Sequence, residues 1–453
     1  MALDTNALAR IYGSADPQAL AAQERRYARA LEAFARRYGP GEVRAYHAPG
    51  RVNLIGEHTD YNHGYVMPVA LDKDVLLLAR PRRDGVVRMD NLEGGFPQRT
   101  FSVAAEISPQ PVGDWANYAQ GPAEILEREH GPGLHGLDAL VDGGAPYGVP
   151  RGAGLSSSSA LTVAFAVALA EVNDLGLAGP ALADACSRAE WYVGTRGGIM
   201  DQFISVLARQ EHALFLDCRP AADGSGYAYR HVPLPAEYAI VVADSGLRHT
   251  NTGPHYNRRV AECRIGVRLL AARYPGITHL RDVEDHPWPE IEPLLPEAID
   301  REELLAMGID PARILDSGVD PQTDTFSVRR RCRHVVTENR RVLDACEALE
   351  AGDVARLGTL MNAAHESARD DYEISTPEIE ALVRLALGLP GAVAARLTGA
   401  GWGGCIVALV AQEAAGDFAA RLVAGYRAET NRQAQVFVCH SAAGAGLVLQ
   451  TRV

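Results

Sequence analysis

Residues 149–172 read VPRGAGLSSSSALTVAFAVALAEV, and this stretch narrows the possible folds more than any other. A proline and two glycines lead into four serines, and an apolar helical segment starts near Ala160. Glycine lets a backbone turn tightly and approach a ligand closely. Serines at a helix start add hydroxyls to N–H groups that have no acceptor within the helix, and the helix dipole favours an anion at the same point. The run is therefore read as a phosphate-holding loop made of Pro150, Gly152, Ala153, Gly154, Leu155, Ser156, Ser157, Ser158, Ser159 and Ala160. A loop of this kind needs no lysine. The chain has only one, Lys73, beside 43 arginines, and no G-x-x-x-x-G-K-[ST] surrounds it.

At 453 residues the chain is too long for one simple core. Two domains are expected, 1–235 and 236–453, in an α+β arrangement. A helix is predicted over 15–38, followed by β-rich runs to about 103 that suit a mostly antiparallel sheet. Helices are predicted at 115–130, 156–173 and 179–193, and strands at 134–143, 212–217 and 237–245. Helices dominate after about residue 250, with late strands in GAVAARL, GCIVALV and QAQVFVC and an irregular Pro-rich segment at 284–300.

A net charge of −13 argues against a nucleic-acid partner. The one dense basic run, RRRCRH at 329–334, reads as a solvated helix face. Seven scattered cysteines without a CxxC suit reduced thiols rather than a disulfide frame or a zinc site. No apolar run approaches the length of a membrane span, and the first residues lack the pattern of a secretory signal, so a cytoplasmic location is expected.

Three motifs resemble those of the GHMP kinases, the family of galactokinase, homoserine kinase, mevalonate kinase and phosphomevalonate kinase. PRGAGLSSSSA (150–160) resembles their ATP-binding motif, and ARLTGAGWGGCIVAL (395–409) their third motif, a glycine loop between two strands. GRVNLIGEHTDYNHG (50–64) is similar to the signature of the galactokinase branch. The resemblance covers about residues 43–440, with the motifs in family order. It implies a two-domain GHMP kinase fold, with the active site in the cleft between the domains, and ATP-dependent phosphorylation of D-galactose at its anomeric hydroxyl, giving α-D-galactose 1-phosphate and ADP.

AEWYVGTRGGIMDQFIS (189–205) supplies two carboxylates, Glu190 on a predicted helix and Asp201 at the start of another. By resemblance Glu190 and a loop serine, Ser157, hold Mg²⁺, and Asp201 is the base beside the acceptor hydroxyl. Arg51 would keep Asp201 ionised and stabilise the transferred phosphoryl group. Glu57, His58, Asp60, Tyr256, Asp201 and the backbone of Gly198 are expected to bind sugar hydroxyls. His63 reads as a solvent-facing turn residue, Trp115 and Tyr118 as core rather than an adenine shelf, and Cys405 as a buried strand residue. The EHTD spacing is not that of HExxH, which argues against a metal there.

GTRGGIMDQ, Trp402 and TNTGPHYNRRVAECR depart from the common galactokinase pattern and lean toward N-acetylgalactosamine kinases and some plant galactokinases. A kinase for N-acetylgalactosamine or another galactose-like sugar such as L-arabinose therefore stays open. So does a non-catalytic galactose sensor, although the complete serine loop, Arg51 and Asp201 oppose it. A galactose-like monosaccharide and ATP are the expected partners, without nucleic acid or membrane, for a monomer or weak dimer.

Overall fold

The computed structural model describes residues 4–193, 197–248, 252–314 and 323–453, with no side-chain description at 191, 252, 253 and 312. The chain forms two compact units. One comprises the residues up to Val52, Val69–Leu214 and Cys439–Val453; the other comprises Asn53–Pro68 and Phe215–Val438. The backbone passes between them at 52/53, 68/69, 214/215 and 438/439, where the sequence reading placed one boundary at 235/236.

The first unit is built on a six-stranded sheet in the order Gly446–Arg452, Glu42–Asn53, Pro68–Arg82, Gly136–Asp142, Val86–Asn91, Arg99–Ser102. The ladders Glu42↔Arg452, Leu76↔Asp142 and Val86↔Ser102 are antiparallel, and Arg88↔Asp138 is parallel. One helix, Pro17–Tyr38, begins where Asp16 accepts N–H bonds from Gln18 and Ala19 and Pro17 presets the first helical φ. Its Leu20, Tyr27, Leu31 and Phe34 pack with Val43, Ala45, Leu76 and Leu78 of the sheet. Among the remaining helices, Ser157–Val172 is apolar on all sides. It is accordingly surrounded by neighbours, Asn117–His130, Gly179–Glu190 and Met200–Leu207.

In the second unit the four-stranded sheet runs Ala392–Thr398, Cys405–Ala411, Tyr238–Asp244, Gln435–Cys439. Alternation along the first strand sends Ala395 and Leu397 into a core shared with the helices Thr252–Leu270, Arg329–Glu350, Val354–Asp370, Pro377–Leu387 and Ala415–Thr430. Cys405 is fully buried at the start of its strand, as expected. The Pro-rich 284–300 segment contains two short helical turns and the three-residue strand Ala298–Asp300.

One expectation fails in this unit. The basic run does not lie on a solvated face, because Arg331, Cys332 and His334 are buried. Arg331 pairs with Glu262 at 2.9 Å and Glu373 at 2.5 Å, so acids elsewhere in the fold satisfy the charge that local composition assigned to water. No described helix is long and apolar enough to cross a membrane.

Candidate active site

The phosphate loop is shaped by its backbone. Gly152 and Gly154 lie at φ 64° and 76°, and Ser156, which caps the helix Ser157–Val172, is itself left-handed at φ 61°. In that conformation the Ser156 side chain makes no capping bond, and its hydroxyl donates to Asp201 Oδ2. The first intrahelical bond is Ala160 N to Ser156 O at 2.9 Å, leaving the N–H groups of the serine turn without intrahelical acceptors.

Arg51, near the end of the strand Glu42–Asn53, draws this unit's groups together. Its Nε donates to Asp201 Oδ1 at 2.7 Å and its Nη1 to Gly154 O at 2.6 Å, while its own N–H donates to Leu155 O at 3.2 Å. Asp201 stands in the first turn of Met200–Leu207, and Gly198 lies just ahead of that helix. The loop, Arg51 and Asp201 thus form one hydrogen-bonded group across 150 residues of sequence.

Glu190 ends its helix beside the serine turn and accepts a hydrogen bond from Ser159 Oγ. The serine on Glu190 is therefore Ser159, two positions beyond Ser157. Burial, and then the negative charge of Asp201, push the Glu190 carboxyl up to about 7. Glu190 and Asp201, beside a loop that suits phosphate, form an oxygen donor set that fits a hard divalent cation. Burial and the nearby Glu190 also raise the Tyr118 hydroxyl. Trp115 is core, with its indole N–H donating to Pro97 O at 3.0 Å.

In the second unit, the signature continues past Asn53 into a turn that is tied mainly to itself. Thr59 Oγ1 lies 2.9 Å from Gly56 O and 2.6 Å from Tyr65 O, and Asn62 Nδ2 donates to His58 O at 3.0 Å. Gly64 has no room for a side chain, since a Cβ would run into Asn339 Oδ1 and come within 2.8 Å of Thr59 Cβ. Glu57 is buried, and its Oε1 accepts the Gly399 N–H at 2.9 Å. Asp60 accepts the Tyr61 N–H at 2.9 Å.

His58 sits at φ 61° among aromatic rings, with centroids at 4.9 Å for Tyr372, 5.4 Å for Tyr256, 5.8 Å for Tyr61 and 6.3 Å for Trp402. Nε2 lies 3.0 Å from Ala400 O, a pure acceptor, so Nε2 carries the proton. Nδ1 must then accept from the Tyr61 hydroxyl at 2.8 Å, and Tyr61 in turn from Tyr372 at 2.7 Å. Burial holds the imidazole neutral, down to about 3. Both ring nitrogens are thereby committed within the protein.

His63 is not the solvent-facing residue expected. It lies at φ 58°, half-buried, with its ring stacked on His279 at 3.4 Å between centroids. Gly194, Thr195 and Arg196 of GTRGGIMDQ, and Thr250 and Asn251 of the other atypical stretch, lie outside the described residues.

Sequence reasoning passed over Tyr61, Tyr372, Ser159 as the partner of Glu190, and Arg396. Tyr61 and Arg396 both stand inside motifs already noted, GRVNLIGEHTDYNHG and ARLTGAGWGGCIVAL.

A two-unit fold with a lysine-free serine loop, an arginine–aspartate pair on that loop and a buried acid beside it defines a GHMP-type small-molecule kinase. Models of the GHMP kinases N terminal domain and GHMP kinases C terminal match residues 117–209 and 345–427. The galactokinase galactose-binding signature matches 32–81. The chain is 42% identical to a galactokinase of Roseiflexus sp. over 92% of its length and 96% of that protein, and 41% identical to one from Chloroflexus aurantiacus with the same coverage. Among solved structures, a Lactococcus lactis galactokinase complexed with galactose superposes with a TM-score of 0.76 at 30% identity, over 92% of this chain and 99% of that one. A Methanococcus jannaschii mevalonate kinase shares the fold alone, with a TM-score of 0.58 at 15% identity, over 88% of this chain and 98% of that one. The chain belongs to the galactokinase family.

Proposed function

We propose that this protein transfers the γ-phosphoryl group of ATP to the anomeric hydroxyl of D-galactose, giving α-D-galactose 1-phosphate and ADP. The observation that carries this reading is the hydrogen-bonded group of Arg51, Asp201, Ser156 and Gly154 on the serine loop. Phosphoryl transfer asks a protein for positioning and charge stabilisation more than for covalent chemistry. The loop's N–H groups, which have no acceptors within the helix, supply an anion site, and Arg51 supplies a fixed positive charge at its edge. Asp201 is the proton acceptor for the sugar hydroxyl. A carboxylate is a weak base, so the proton moves late, once the acceptor oxygen has begun to bond to phosphorus.

Glu190, with a serine of the loop, would hold Mg²⁺, and the ion when bound would neutralise phosphate charge. The geometry favours Ser159 as the serine that orients Glu190, with Ser157 and Ser158 nearer the helix start. On the second unit, Glu57, Asp60 and Tyr256 take sugar hydroxyls; on the first, Gly198 does so through its backbone. His58 belongs to the same group as the residue that fixes the turn. The protein is proposed to act as a monomer or weak dimer in the cytoplasm.

The test is turnover of purified protein with Mg-ATP and, separately, galactose, N-acetylgalactosamine, L-arabinose and glucose, read by ADP release and phosphorus NMR. Galactose phosphorylated at the anomeric oxygen is the expected result. A preference for N-acetylgalactosamine, or phosphate on another oxygen, would overturn the substrate assignment.

A further inference from the structure

The strand Ala392–Thr398 turns Ala395 and Leu397 into the helical core, so its other face carries Arg396 and Thr398. Thr398 Oγ1 accepts the Asn53 N–H at 2.9 Å, which places this face against the start of the sugar signature. Arg396 is completely buried, at 0% exposure. Its Nη1 lies 3.9 Å from Glu57 Oε1 and its Nη2 lies 3.9 Å from Glu338 Oε1. Among the described residues none of its three side-chain nitrogens has a hydrogen-bond partner.

Buried arginines that hold a fold together are ordinarily fully hydrogen-bonded. Arg26 in the first unit shows the usual pattern, with Asp74 at 2.6 Å and Asp142 at 3.3 Å. Arg396 offers charge without those bonds. Of the two acids facing it, Glu338 is already provided for. Its Oε2 accepts from Arg341 Nε at 2.6 Å and its Oε1 from the Gly56 N–H at 2.8 Å. Glu57 has the Gly399 N–H on Oε1, and the guanidinium beside that same oxygen is Arg396.

We infer that Arg396 is a positioning residue for sugar recognition, the buried counter-charge that keeps the Glu57 carboxylate ionised and aimed so that it can accept sugar hydroxyls. This rests on the reading of Glu57 as a sugar ligand. A carboxylate buried this deeply takes up a proton unless a cation opposes the cost of desolvation. Other charged or titratable groups face the turn from each packed element. His334 on the helix Arg329–Glu350 has its Nε2 on Glu57 O, 3.0 Å away, and burial holds it neutral. Glu338 and Arg341 lie on the same helix. His58 is neutral within the turn, Arg259 approaches from Thr252–Leu270, and His365 of Val354–Asp370 lies 3.1 Å from Glu380. Of the cations, Arg341 is engaged by Glu338 and Arg259 by Glu262 at 3.2 Å, whereas Arg396 has no hydrogen bond among the described residues and stands 3.9 Å from Glu57 Oε1.

The test compares Arg396→Gln, Arg396→Lys, Glu57→Gln and the double variant Glu57→Gln/Arg396→Gln in the full chain, by initial rates with galactose and Mg-ATP across pH. Arg396→Gln is expected to raise the KM for galactose at least tenfold while the KM for ATP stays within twofold. It should also move the acid limb of kcat/KM for galactose upward by about one pH unit. Arg396→Lys should recover most of both effects, and the double variant should be no more than about twofold worse than Glu57→Gln.

An unchanged galactose KM and acid limb in Arg396→Gln, or penalties that multiply in the double variant, would overturn the role of Arg396. If Arg396→Gln does not fold, Glu338→Gln decides. Freed of a competing carboxylate, Arg396 should move the acid limb downward, and an upward move overturns the proposal. A wild-type galactose KM in Glu57→Gln would instead sink the sugar-ligand reading itself.

Discussion

At the scale of single residues, the chemistry rests on side chains that each serve two partners. Arg51 bonds the Asp201 carboxylate and the Gly154 carbonyl, and Ser156 gives its hydroxyl to the other oxygen of Asp201. Two fixed donors leave Asp201 with lone pairs for a substrate proton but little freedom to turn. Asp201→Asn is expected to lower kcat by about 10²–10⁴-fold, the range for a positioned acid–base group, with galactose affinity by calorimetry within a few-fold of wild type. Full turnover in that variant would remove Asp201 from the role of base.

Glu190 makes a prediction of opposite sign to most carboxylates. Its folded pKa of about 7 lies above the unfolded value of 4.5, so the native state holds the extra proton between those values. Its burial therefore costs stability as pH rises through that window. Without divalent cation, Glu190→Gln should melt higher than wild type at pH 8, by an amount on the order of 3 kcal/mol at most, and the difference should vanish near pH 4. Added Mg²⁺ should stabilise the wild type and not the variant.

At the scale of elements, the sugar signature divides into residues that build its turn and residues that the turn presents. Thr59, Asn62, Gly64 and the Tyr65 backbone are occupied in closing it, and His58 pins it to Ala400. Gly64→Ala would push a methyl group into Asn339 and Thr59. The expected result is a galactose KM raised tenfold or more and a loss of stability of about 1–3 kcal/mol, with the KM for ATP little changed. A variant with unaltered kinetics for both substrates would show that the turn tolerates movement. The basic run on Arg329–Glu350 behaves in the same way, since three positions that read as a solvated face lie buried, Arg331 of them against Glu262 and Glu373.

At the scale of the whole molecule, burial of neutral histidines links stability to acid. His58 and His334 titrate near 3 and 4 in the folded protein, against 6.5 when exposed. The unfolded chain therefore binds more protons below pH 6.5, and stability falls as pH drops through that window. Urea midpoints are expected to be level above about pH 7 and to decline toward pH 4. His334→Gln should flatten part of that decline, and an unchanged slope would count against a buried neutral His334.

The sequence alone determined the reaction type. A serine loop leading into an apolar helix, a signature strand and a glycine hairpin are local patterns, marked in the sequence by backbone preference and periodicity. The strand that carries Arg51 and the helices that carry Glu190 and Asp201 were legible for that reason, and Glu57 lies in the turn that follows the strand. Three things were decided only by tertiary structure: that Ser159 rather than Ser157 meets Glu190, that both nitrogens of His58 are spent inside the protein, and that Arg396 stands buried beside Glu57. Each depends on which groups from distant segments share one small volume. Burial there sets charge and hydrogen-bond assignment, and no local pattern records it.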